Sequence, residues 1–144
     1  MKLSKYYLTL HEDYFNYISD KSVACKEDVV SIFKSLGFHK SDREHTYIAL
    51  LNVKGQITGI EEVSVGDQSR CLLSPREYYK VAVYTSATAT IMCHNHPSGD
   101  PTPSNEDIYT TKRLKDAGNV LGIELLDSIV IGSTGDYYSV FDLI

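Results

Sequence analysis

The sequence predicts an α/β (α+β) domain in which a mixed β-sheet is packed by helices. Three observations carry this. β-Branched and apolar runs recur at residues 45–53, 56–65, 87–93, 124–132 and 137–141. Stretches with apolar residues at helical spacing lie between several of these runs. Finally, 144 residues with 42% hydrophobic and 23% charged content suit one globular domain, a size that buries about 68 to 70% of the unfolded chain's surface.

From the N-terminus, Tyr14, Phe15, Tyr17 and Ile18 predict a short helix over residues 11–20. It falls in an N-terminal extension, 1–21, ahead of the main domain at 22–144. Val29, Val30, Phe33 and Leu36 share one helical face, and Gly37 is a natural C-terminal stop. Residues 45–53 and 56–65 form a hairpin around the Lys54-Gly55 turn. Pro75-Arg76-Glu77 opens a second helix, with Tyr78, Val81, Ala82 and Tyr84 available for packing. Residues 87–93 read as a buried strand. Beyond it Pro97, Gly99, Pro101 and Pro103 force a turning loop. Ser104 is placed as the N-cap of a third helix with Ile108, Leu114, Ala117 and Leu121 as its apolar stripe. Two strands, 124–132 and 137–141, complete the chain. No repeat or low-complexity linker divides it.

The chemistry concentrates where the third strand meets the loop, in His94-Asn95-His96-Pro97-Ser98-Gly99-Asp100-Pro101-Thr102-Pro103-Ser104-Asn105-Glu106-Asp107. Side chains alternate along a strand, so His94 and His96 point the same way, about 6.5 to 7 Å apart. Cys93 and Asn95 point the other way, which argues against Cys93 as a ligand. Asp107 falls in the first turn of the third helix, and the loop can fold that turn over the histidines. A His, His, Asp set leaves a fourth tetrahedral position open, the pattern of a catalytic zinc. Ser104-x-x-Asp107 is also an ordinary capping pair, and the two roles are compatible. Such a centre needs a base that the stretch lacks. Glu61 and Glu62 are candidates, and as neighbours on a strand only one of them can face the metal.

His94-x-His96-Pro97, six residues, Ser104, two residues and Asp107 match the JAMM motif of the JAB/MPN metalloprotease superfamily without a gap. The wider sequence resembles one branch, the RadC-like proteins. Pro75-Arg76-Glu77, His94 to Asp100, Pro103-Ser104, Asp107, Leu121-Gly122-Ile123, Leu125-Leu126-Asp127 and Ile129-Val130-Ile131-Gly132 carry this likeness, which extends from about Ser22 to the C-terminus. The resemblance implies the JAB/MPN (cytidine-deaminase-like) fold and one Zn2+ per chain held by His94, His96 and Asp107. It implies a metallopeptidase or isopeptidase in which zinc-activated water attacks a peptide or protein substrate. In the RadC-like pattern the base lies five positions before a glycine; Gly66 makes that residue Glu61, while Glu62 stays on a solvated face. Ser104 is expected to support the oxyanion. One departure is Ser128, where the family commonly has histidine.

The RadC name is associated with DNA repair, and the composition offers it little. Net charge is −5 with a pI near 5.4, opposite to the basic face that phosphate binding requires. Lys112, Arg113 and Lys115 read as a solvated helix face. His94-Asn95-His96 spells HNH, but the nuclease motif of that name is spread over a ββα unit. The eleven tyrosines are scattered and suit packing better than base stacking. A non-catalytic zinc-bearing module that binds a partner in DNA repair or mobile-element processing is the alternative. With Gly37 the first glycine, the glycine-bearing hairpins of a helix-hairpin-helix module are missing, and a stand-alone JAB domain is expected. Three cysteines without C-x-x-C spacing, together with the lack of a signal peptide or membrane-length apolar run, point to free thiols in a cytoplasmic protein. Oligomeric state is left open.

Overall fold

A computed structural model describes residues 23, 25–66 and 73–144. The expected helix over 11–20 and the extension it belongs to lie outside the described residues. Among these residues the order is α1 (Lys26–Ser35), β1 (Glu44–Leu51), β2 (Ile57–Gly66), α2 (Pro75–Tyr84), β3 (Ala89–His96), α3 (Asn105–Leu121), β4 (Glu124–Gly132) and β5 (Tyr137–Ser139). Short 3-10 turns follow α1 and β5, at Phe38–Lys40 and Val140–Leu143.

The strands form one mixed sheet in the order β2-β1-β3-β4-β5. β1 runs antiparallel to both β2 and β3, β3 is parallel to β4, and β5 returns antiparallel to β4. This is the α+β architecture with a mixed sheet packed by helices that the sequence predicts. β3 sits at the middle, with the hairpin on one flank and the β4–β5 pair on the other.

Helices cover both faces. On one, Val29, Val30 and Phe33 of α1 meet Ala49, Ile91, Cys93 and Ile129. On the other, Tyr78, Tyr79 and Ala82 of α2 and Leu114 of α3 meet Ile48, Leu50, Met92 and Leu125. Alternation along β1 and β3 sorts these sets, and in β4 the irregularity between Leu125 and Asp127 puts Leu125 on the face opposite Ile129. The first face needs α1, whose Val29, Val30 and Phe33 are buried as their spacing predicts, and Gly37 follows the helix at φ 76°.

Several element-level expectations are corrected. Tyr84 is 58% exposed, and Tyr79 takes the packing place assigned to it. Positions 78, 79 and 82 share one face of α2, whereas Tyr84 falls at the helix end. On α3 the buried residues are Thr111, Leu114 and Gly118, while Leu121 is about half exposed. The last strand stops at Ser139, because Ser139 Oγ donates to Asp127 Oδ1 at 2.6 Å and the chain then turns with Val140 buried. Of the cysteines, Cys25 is exposed and free and Cys93 buried and free; Cys71 lies outside the described residues. No helix among the described residues is long and apolar enough to cross a membrane.

Candidate metal centre

β3 carries His94 and His96 to the sheet's edge on the α2/α3 face. Buried Ala89, Thr90, Ile91, Met92 and Cys93 keep the strand in register between β1 and β4 up to this point. The loop after His96 then delivers Ser104, whose extended backbone and side chain begin α3. Ser104 Oγ accepts from Asp107 N at 3.1 Å, and Ser104 N donates to Asp107 Oδ2 at 2.7 Å. This reciprocal cap points the Asp107 carboxylate back toward the strand end.

Three side chains converge there. His94 Nε2 and His96 Nε2 are 3.2 Å apart. Asp107 Oδ1 lies 3.1 Å from His94 Nε2, and Oδ2 lies 3.2 Å from His96 Nε2. Tetrahedral zinc with ligands at about 2.0 to 2.1 Å has ligand–ligand edges of roughly 3.3 Å; the Nε2–Nε2 separation is close to this, and each carboxylate oxygen stands at a similar distance from one of the two imidazoles. His94 is 3% exposed, and the His96 and Asp107 side chains are 13% and 14% exposed, so the cluster is shielded but reachable. Among the described residues, His94, His96 and Asp107 form the group whose donor atoms could hold a metal ion.

The surroundings set the tautomer. His96 Nδ1 donates to the Asp100 carbonyl at 2.9 Å, leaving the Nε2 lone pair of the neutral ring for the centre. Burial opposes a charge on His96, but its bonds to Asp107 and Asp100 prevail and raise its proton affinity. Burial likewise opposes ionisation of Asp107, yet in the metal-free site its pairing with the His94 and His96 rings, a hydrogen bond from His96 Nε2 when that ring is protonated, holds its carboxyl far below the usual range. This is an anionic carboxylate facing two imidazoles, a donor set suited to a divalent cation.

The other expected residues fall as follows. Glu61 pairs with Ile48, and Ile48 with Met92, so Glu61 shares the face of His94 from two strands away. Glu62 pairs with Tyr47 on the opposite face. It is exposed as expected but not merely solvated, because His45 Nδ1 lies 2.9 Å from Glu62 Oε2. Cys93 points into the α1 core, and burial pushes its thiol well above the ordinary value. Ser128 is fully buried, and Thr111 Oγ1 donates to its Oγ at 3.0 Å, tying β4 to α3 one helical turn past Asp107. Sequence reasoning missed that bond and the role of Asn95. A polar residue between two histidines on a buried strand was the available signal.

Residues 23–143 match the family described as RadC-like JAB domain. The chain belongs to the RadC-like JAB domain family. Relatives support the assignment, each carrying the name UPF0758 protein. One from Caldanaerobacter subterraneus subsp. tengcongensis is 47% identical over 111 residues, covering 77% of this chain and 47% of the relative. Another, from Clostridium acetobutylicum, is 42% identical over 126 residues, covering 88% and 54%. A third, from Moorella thermoacetica, is 54% identical over 91 residues, covering 63% and 40%. The chain thus spans about half the length of the curated relatives it matches. JAB membership is compatible with a hydrolase and with zinc binding at the His, His, Asp group.

Proposed function

We propose that this domain is a zinc-dependent hydrolase of amide bonds, acting on a peptide or protein substrate, with one Zn2+ per chain held by His94, His96 and Asp107. The observation that carries the reading is the convergence of the two Nε2 atoms, 3.2 Å apart, with the Asp107 carboxylate, whose Oδ1 lies 3.1 Å from His94 Nε2 and whose Oδ2 lies 3.2 Å from His96 Nε2. Zinc, when bound, supplies Lewis-acid polarisation of the water and of the scissile carbonyl. Glu61 is the base: it takes a proton from the attacking water and returns it to the departing nitrogen. Its support is its face, shared with His94, where Glu62 is turned away. Ser104 steadies the oxyanion. Its Oγ already accepts from Asp107 N, so the hydroxyl hydrogen remains to be donated.

The test is metal content first and hydrolysis second. Purified protein is expected to hold close to one zinc per chain, and His94→Ala or Asp107→Ala to lose it while keeping the wild-type circular dichroism. Wild-type protein with intact fold that takes up no zinc at neutral pH would overturn the reading. A chelator-sensitive cleavage of peptide or isopeptide substrates that zinc restores completes it. Stoichiometric zinc with no cleavage of any amide would instead favour a zinc-bearing binding module.

A further inference from the structure

We propose that Asn95 and Gly132 are positioning residues that set the metal affinity of the site while touching none of its coordinating atoms. The inference rests on the metal reading above. β1 and β3 pair up to Thr46↔His94, the level of the first histidine. Beyond that pair the Asn95 side chain takes over: Oδ1 accepts from His45 N at 2.7 Å and Nδ2 donates to the Arg43 carbonyl at 2.9 Å. The amide is fully buried with both ends used, so losing either bond leaves a buried polar group unmade. By stitching β3 to β1 between the two histidines, it keeps both imidazoles on one face.

The opposite flank is held differently. β3 pairs with β4 as far as His96↔Gly132. A Cβ on Gly132 would overlap the Gly99 carbonyl oxygen, come within 3.0 Å of its carbon and stand 3.3 Å from Pro101 Cδ. The loop after His96 is therefore seated in the notch that Gly132 leaves. That same loop sets the Asp100 carbonyl on His96 Nδ1 and leads directly into Ser104 and Asp107. Any side chain at position 132 must lift the loop, and with it the carbonyl that orients His96. Asn95 and Gly132 are thus locks on the two sides of one strand end, and they hold the ligand geometry ready for the ion.

The experiment measures zinc affinity by competition with a chromophoric chelator, alongside thermal unfolding of the metal-free full chain. Asn95→Asp keeps the shape and the acceptor but sets an oxygen against the Arg43 carbonyl; Gly132→Ala fills the notch. Each is expected to weaken zinc about ten- to hundredfold. Ser139→Ala, which removes a buried bond to Asp127, is the control: it lowers the metal-free unfolding temperature and leaves zinc affinity unchanged. If Gly132→Ala does not fold, Asn95→Asp decides. Variants that bind zinc within twofold of wild type sink the inference and leave the metal reading standing. A control that loses as much affinity as the variants also sinks it, because general loosening would then explain the effect. Wild-type protein that takes no zinc overturns both.

Discussion

At the scale of single residues, two neighbouring glutamates have different fates because a strand alternates its faces. Glu62 is tied down: burial opposes its charge, but hydrogen bonds from Tyr47 and His45 hold its carboxyl below the ordinary value. Glu61 faces the side of His94. Glu61→Gln is therefore expected to keep full zinc and to lose amide hydrolysis by at least about a hundredfold, the scale of general acid–base catalysis. Glu62→Gln is expected to keep hydrolysis and to shift stability by under about 1 kcal/mol, since its side chain is 38% exposed. Zinc content and cleavage rate, measured on both variants, decide. An inactive Glu62→Gln beside an active Glu61→Gln would exchange the roles. The sequence could say that only one glutamate faces the site, since that follows from pleat alone. Choosing between them took a family pattern, because the bulge between Thr46 and Tyr47 in the β1–β2 pairing is not written in hydrophobicity.

Among the elements, α3 shows what sequence patterning reads and what it misses. Its start was legible, since Ser104 and Asp107 satisfy backbone groups locally and the Pro/Gly loop before them cannot be helical. Its buried face was not. Leu114 packs as its pattern implies, but Gly118 and Thr111 are buried where Leu121 was expected. The cause is tertiary: Tyr79 Oη donates to the Leu114 carbonyl at 2.8 Å and rests against Gly118. A Cβ at 118 would overlap Tyr79 Oη and the Ile123 carbonyl. Helix propensity alone favours alanine over glycine by about 1 kcal/mol, whereas overpacking a filled core costs about 1 to 3 kcal/mol. Packing should win, because one of the obstructing atoms is backbone and Tyr79 is only 1% exposed. Gly118→Ala is thus expected to lower unfolding free energy in urea by about 1 to 2 kcal/mol; a stabilised variant would mean that Tyr79 can swing aside. The strands were legible for the complementary reason. Residues 48–51, 89–93 and 127–132 are runs whose burial leaves little choice, and β2, mostly exposed, follows from the Lys54-Gly55 turn, whereas β5 has only three paired residues before Ser139 binds Asp127.

For the whole molecule, the site links stability to pH in two opposing ways, with and without metal. Asp107 has a depressed pKa, so its contribution is present above the unfolded carboxylate value of about 3.9 and lost as pH falls through the folded one. His96 has a raised pKa, so its contribution is present below the unfolded imidazole value of about 6.5 and lost as pH rises through the folded one. The metal-free pair therefore helps most between about pH 4 and 6.5. Asp107→Asn should lower the metal-free unfolding temperature most near pH 5.5, with the gap narrowing by pH 8. Zinc works against that trend, since it needs both imidazoles unprotonated. At a free zinc concentration a hundredfold above Kd, binding adds about 2.7 kcal/mol, or roughly 5 to 10 °C for a domain of this size. That increment is expected nearly in full at pH 8 and mostly lost at pH 5.5, where protons held on His96 by Asp107 compete with the ion. Scanning calorimetry with and without zinc at the two pH values, on wild type and Asp107→Asn, reads both slopes at once. An equal zinc increment at both pH values would show that the ion is held by groups other than these histidines. A wild-type advantage over Asp107→Asn that grows toward pH 8 in the metal-free state would show that the pair is not the ionic one the geometry indicates.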